Sequence, residues 1–197
     1  MPLIRRDGAG PAEPVGADLE HGTPDERWTA ARQLAGKPDA AARLGRALAV
    51  EADERVREAI FTSLIQIGGT DAVGAVLPHI RVDDAGLRTG ALDTLKAMPA
   101  AAREHLPGLL AEADPDVRIM ACELARAVPG RQTAALLARL IEAEPEVNVC
   151  AAAVDVLAEI GTADSLAALQ ACAARFADQP FLAFAIRIAL RRIGTHE

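Results

Sequence analysis

The chain has 197 residues, 51% of them hydrophobic and 25% charged, with a formal net charge of −7. These proportions fit one folded domain or a short repeat array and exclude a disordered chain. Twenty-one basic residues against 28 acidic ones leave no excess positive charge for a phosphate backbone or an anionic bilayer, so neither nucleic acid nor a membrane is expected as a partner.

Only 3% of residues are aromatic, Tyr is absent and 44 residues are Ala. A core built from these must pack aliphatic helices closely, which disfavours a β-sandwich or barrel. The start, Met1-Pro2-Leu3-Ile4-Arg5-Arg6, is followed by Asp7-Gly8-Ala9-Gly10-Pro11 and has no apolar stretch of a secretory leader. No run approaches the about 18 apolar residues of a membrane span. Cys122, Cys150 and Cys172 are spaced by 28 and 22 residues. That fits neither a disulfide framework nor a zinc site, and they read as buried small hydrophobes in a reducing cytoplasm. Nineteen of the 21 basic residues are Arg, which with the Ala excess points to a GC-rich bacterial coding sequence.

In chain order, residues 1–12 are rich in Gly and Pro and read as a flexible tail, and residues 13–194 as one repeat domain. A short first helix holds His21. A weak copy of a recurring pattern follows, with Arg27, Ala30 and Leu34. The pattern is plain in Asp53 to Gly68, with Val56-Arg57, Ala59, Leu64 and Ile67. It returns in Asp84 to Pro99, with Leu87-Arg88, Ala91, Leu95 and Met98. It returns again from Asp114, with Val117-Arg118, Ala121, Leu124 and Val128. Two later copies put Cys150 and Ala183 in the Arg position, so that its spacings are 30, 31, 30, 32 and 33.

Apolar residues within each copy fall at three- and four-residue intervals, which predicts an amphipathic helix closed by Gly or Pro. Between copies lie further helical stretches such as Ala72 to Ile80 and Thr133 to Glu142. The unit is helix-turn-helix, and a pair this short buries its apolar stripe only by stacking on its neighbours. The expected fold is all-α, a curved right-handed solenoid (α-α superhelix) of about six helical hairpins.

The pattern Asp-x-x-Val-Arg-x-x-Ala with a later Leu and Ile-Gly resembles the HEAT-like repeats of the short phycobilisome-lyase (PBS lyase) type. The resemblance covers roughly residues 13 to 194. The unit is shorter than the usual HEAT length of about 40 or more, and the ankyrin and tetratricopeptide signatures are missing.

Arg27, Arg57, Arg88 and Arg118 form a ladder. Arg57, Arg88 and Arg118 each follow an aliphatic core position, and the ladder is placed to bind carboxylates at helix N-termini, among them Asp53, Asp84, Asp114 and Asp116. The Asp residues double as N-caps, and the ladder reads as a staple between repeats that ends at Cys150 and Ala183. Helix positions 6, 10 and 13, counted from Asp53 as position 1, face away from the core, toward the expected concave surface. They include large apolar residues, Trp28, Ile65, Ile119, Phe184 and Ile188, among the charged Asp93, Lys96, Glu123, Arg126 and Asp155. Apolar anchors inside a charged rim mark an interaction groove. The last helix, Phe181 to Ile193, carries a second apolar stripe of Phe181, Phe184 and Ile188 where a terminal repeat ordinarily turns a polar face outward. That end is expected to dock on a protein, self-association through the C-terminal repeat included.

No catalytic constellation is present. The four His are scattered, and no phosphate-binding Gly-rich loop, nucleophile elbow or Cys/His pair occurs, so neither a metal nor a cofactor is expected. The sequence therefore reads as a non-enzymatic scaffold or adaptor in a bacterial cytoplasmic assembly. The resemblance implies, as the alternative, a bilin or chromophore lyase-like handling of a small ligand.

Overall fold

The computed structural model describes residues 18–195; the expected tail at residues 1–12 lies outside them. Twelve α-helices follow in chain order: α1 (Pro24–Gln33), α2 (Ala41–Leu48), α3 (Glu54–Ile67), α4 (Gly69–Val76), α5 (Ala85–Lys96) and α6 (Pro99–Ala102), then α7 (Leu106–Leu110), α8 (Pro115–Ala127), α9 (Arg131–Ala143), α10 (Val147–Ile160), α11 (Leu166–Arg175) and α12 (Pro180–Gly194). Short 3-10 turns at Pro38–Ala40, Leu77–Arg81, Arg103–His105 and Ala163–Ser165 complete the fold, and no strand occurs among the described residues. None of these helices is long and apolar enough to cross a membrane.

The boundaries follow from local chemistry. The Asp53 carboxylate accepts from Val56 N at 3.1 Å, Asp84 from Leu87 N at 2.9 Å and Asp114 from Asp116 N at 2.9 Å. These bonds satisfy first-turn amides that have no partner within the helix. Thr23 and Glu26 cap α1 reciprocally, and Pro opens α1, α8 and α12. Gly68 and Gly69, at φ +66° and +73°, turn the chain from α3 straight into α4, a conformation closed to most side chains. Residues 18–22, where a short helix holding His21 was expected, form a bend instead. There the Asp18 carboxylate takes the Glu20 and His21 amides at 2.8 and 3.1 Å, and this local bonding competes with helix formation.

The helices form two rows. In one, α1 packs on α3, α3 on α5, α5 on α8, α8 on α10 and α10 on α12; in the other, α2 packs on α4, α4 on α6 and α9 on α11. The first row holds every Arg-position residue, from Arg27 to Ala183. One apolar core runs unbroken from Leu19 to Ile193. Its fully buried large side chains include Leu44, Ile60, Leu95, Leu124, Ile141 and Leu157, each stabilising the fold by roughly 1.5–3 kcal/mol. Small residues set the helix spacing: a Cβ on Gly45 of α2 would lie 2.9 Å from the Ala75 Cβ of α4, so these helices approach as closely as backbones allow. Cys122, Cys150 and Cys172 are free and buried, as their spacing suggests.

Candidate interaction surface

The Arg ladder lies between consecutive helices of the first row. Arg57 donates through Nη1 to Asp84 at 3.0 Å and through Nε to the Glu51 carbonyl at 2.6 Å. Arg88 reaches Asp116 at 3.7 Å. Both acceptors are among the expected carboxylates. Arg27 and Arg118 choose others. Arg27 grips Glu51 bidentately at 2.8 and 2.9 Å, and Arg118 grips Glu144 at 2.8 Å through both nitrogens. Asp53 is left as a cap because Glu51, two residues ahead of it, reaches the Arg27 guanidinium from a buried position, and Asp114 because Arg88 goes to Asp116 instead. Sequence reasoning missed Glu51 and Glu144, although Glu51, Glu112 and Glu144 all stand six residues before a ladder position.

Both buried carboxylates are held ionised. The Arg27 hydrogen bonds, helped by the Asp53 and Ala52 amides, bring Glu51 below the ordinary carboxylate range against the opposing effect of burial. For Glu144 burial is the largest influence and pushes upward, but Arg118, the Glu146 amide and Arg175 together outweigh it and the net shift is downward. At the next step of the ladder Cys150 replaces Arg, and the guanidinium arrives from the other row. Arg175 of α11 donates to the carbonyls of Ile141 and Glu144 at 2.8 Å each, and to that of Glu142. It caps the end of α9 that the Arg-position residue leaves open.

The row's surface carries the expected anchors in four separate places, the last of them on α12. Between α3 and α5 lies a groove of about 470 Å³ that brings Ile65 and Asp93 together with Glu54, Glu58, Phe61 and Thr62. Phe61 was not expected there; it reaches the groove because α5 has Gly90 opposite, where a Cβ would stand 2.3 Å from the ring. Between α5 and α8 a smaller notch of about 260 Å³ holds Ile119 with Leu92 and Met120. The charged rim of the next step is tied to itself. Arg126 contacts Glu123 at 3.5 Å, Asp155 at 2.7 Å and also Glu159, while Lys96 pairs with Asp93 at 3.5 Å. Trp28 stands apart on α1, half-buried, with the Arg32 guanidinium 4.9 Å above its ring.

The C-terminal helix carries the most exposed aromatic rings among the described residues. Phe181 is 75% exposed and Phe184 55%, against 38% for Ile65; Ile188, one turn on, is half-buried. Arg187 lies 5.5 Å from the Phe184 ring centre, and among the described residues no carboxylate pairs with Arg187, Arg191 or Arg192. The inner face of α12, with Leu182, Ile186, Ala189 and Ile193, closes the core.

Against known proteins, the HEAT-repeat family model matches residues 103–191. No curated protein matches the chain. Among solved structures, one engineered protein is 15% identical with a TM-score of 0.45, over 90% of this chain and 94% of that one. A second engineered protein is 18% identical with a TM-score of 0.47, over 90% and 96%. The complex of CpcE and CpcF of phycocyanin lyase from Nostoc sp. PCC7120 is 16% identical with a TM-score of 0.38, over 98% and 100%. Residues 103–191 match HEAT repeats, and the hairpins before them carry the same kind of cap, Arg position and stacking.

Proposed function

We propose that this protein is a non-enzymatic scaffold in a bacterial cytoplasmic assembly that docks a protein partner on its C-terminal end. The observation that carries the reading is the joint exposure of Phe181 and Phe184 on α12. Two aromatic rings held open on a rigid helix, with Ile188 beside them, have the form of an interface anchor. The charge around them selects the partner. Arg187, Arg191 and Arg192 line the same helix without an acid, so a second α12 brought against it would oppose like charges, whereas a protein with an acidic rim around an apolar pocket would fit. The α3–α5 groove with Ile65 and Asp93, and the α5–α8 notch with Ile119, offer further contacts along the same row; Trp28, Glu123, Arg126 and Asp155 belong to its outlying part.

The test is co-purification of the tagged chain from its native host, with Phe184→Asp alongside and light scattering on both proteins. A stoichiometric partner retained by the native chain and bound at least about 30-fold more weakly by the variant is the expected result, the loss typical of an anchor residue. A monodisperse monomer that retains nothing, with or without Phe184, overturns the reading. An absorbance band in the purified chain would instead favour chromophore handling.

A further inference from the structure

The outer face of α12 gathers two kinds of side chain. Phe181, Phe184, Ile188 and Arg192 follow one another at three- and four-residue intervals, and Arg187 and Arg191 stand three and seven residues after Phe184, so all of them leave one side of the helix. That side lies opposite Leu182, Ile186, Ala189 and Ile193, which close the core. It is apolar and positive, with no acid among the described residues.

The α3–α5 groove has the reverse charge. On α3, Glu54, Glu58, Phe61 and Ile65 form one stripe, and Asp93 faces them from α5. The basic residue of its lining, Arg57, is already bonded to Asp84 at 3.0 Å, and Lys96 reaches Asp93 at 3.5 Å along its own helix. Glu54 and Glu58 are exposed and join no ion pair among the described residues. The α5 wall is low because Gly86 and Gly90 present no side chain, and a Cβ on Gly86 would meet nothing closer than 3.4 Å. The α5–α8 notch beside it is lined by one Arg and one Asp and lacks the acidic excess.

A chain cannot seat its own α12 in this groove. From α3 through α5, α8 and α10 to α12 the row makes four helix-to-helix steps, which at about 8–10 Å each place the two surfaces roughly 30–40 Å apart. The contact is open only between copies.

We propose that the α12 stripe of one copy docks in the α3–α5 groove of a second copy, so that the chain self-associates head to tail. The inference rests on α12 being a docking end and names its partner. Phe181 and Phe184 enter beside Phe61 and Ile65, while the three Arg of α12 meet Glu54, Glu58 and Asp93. Burial of the rings supplies affinity, and the charge pairs set register. Two different surfaces are joined, so every open assembly keeps one unfilled groove and one unfilled α12, and growth ends in a ring or continues as a chain.

Sedimentation velocity on the purified full-length chain, over a wide range of protein concentration and at low and high salt, reads the association. The weight-average mass should rise with concentration and fall as salt screens the charge pairs. Phe184→Asp removes the helix side, and Glu58→Arg combined with Ile65→Arg removes the groove side, all at exposed positions. Each variant alone should associate at least about 30-fold more weakly. Mixed, the two should form a one-to-one dimer that grows no further, because the first keeps only its groove and the second only its α12. A native chain that stays monomeric, an association indifferent to the groove substitutions, or a mixture that stays monomeric overturns the proposal. Where a variant folds poorly the salt series still decides, since a mass that rises with salt marks two basic α12 faces meeting each other and overturns it as well. A monomeric chain that retains a different protein through Phe184 would end this pairing and leave the docking reading standing, whereas a monomer that retains nothing would end both.

Discussion

At the scale of single residues, His79 has the clearest solution signature. It lies on the 3-10 turn after α4, buried, with Nε2 donating to the Gly45 carbonyl at 3.2 Å. Its Nδ1 has no partner among the described residues, so the imidazole is held neutral. Burial lowers its pKa and the Gly45 bond only partly offsets that. The folded value therefore lies below the unfolded value of about 6.5, and as the pH falls below that the unfolded chain takes up a proton first. Stability is full above about pH 6.5 and declines as the pH drops. The variant His79→Gln keeps an N–H donor for Gly45 and removes the titration. Its urea midpoint should change less between about pH 7.5 and 5.5 than that of the native chain, and an equal fall in both proteins would assign the acid sensitivity to another group. Glu51 and Glu144, whose values are lowered, act further down, contributing stability above about pH 4.3 that is lost as their folded values are passed.

Between elements, the ladder separates strong links from weak ones by burial. Glu144 is almost fully buried under a bidentate Arg118. Glu144→Gln leaves that guanidinium without a counter-charge, and the expected loss is about 3 kcal/mol in denaturant unfolding. Asp116 is largely exposed and 3.7 Å from Arg88, so Asp116→Asn should leave the midpoint unchanged within error; comparable losses in both variants would refute the ranking. The strong links were only partly legible. Helix periodicity, the caps at Asp53, Asp84 and Asp114 and the Arg57 to Asp84 bond follow from local spacing, which a repeat writes into its sequence. Glu51 and Glu144 lie in the turns before the caps, where backbone direction decides which carboxylate points inward. Phe61 in the groove depends on the missing Cβ at Gly90, one helix away, and Arg175 beside Cys150 on packing between the two rows. The exposed stripe of Phe181 and Phe184 was legible because it breaks the amphipathic pattern within a single helix.

Over the whole molecule, the links are unevenly distributed. Arg27, Arg57 and Arg118 tie α1 to the turn before α3, α3 to the cap of α5, and α8 to the turn before α10. Between α5 and α8 the first row itself contributes the long Arg88 contact and the Ile119 notch, and the turn before α8 is held from the other row, by Arg81 on Glu112. In a linear array stability is a sum of local terms, so the poorest seam opens most readily. Amide hydrogen exchange near native conditions should run about ten-fold faster in the facing parts of α5 and α8 than in α3 and α10. Equal protection in all four helices would mean that the ladder does not set cooperativity.

The refilled position at Cys150 limits how this array could be shortened or lengthened. Where the Arg comes from its own helix, a hairpin carries its own fastening and could be duplicated or removed as a cassette. The last hairpins share one. A chain cut after Gly161 would lose Arg175 and expose the carbonyls of Ile141, Glu142 and Glu144 at once. Glu144, in the same turn, also holds Arg118 of α8, so α8 to α12 are best treated as one indivisible cap.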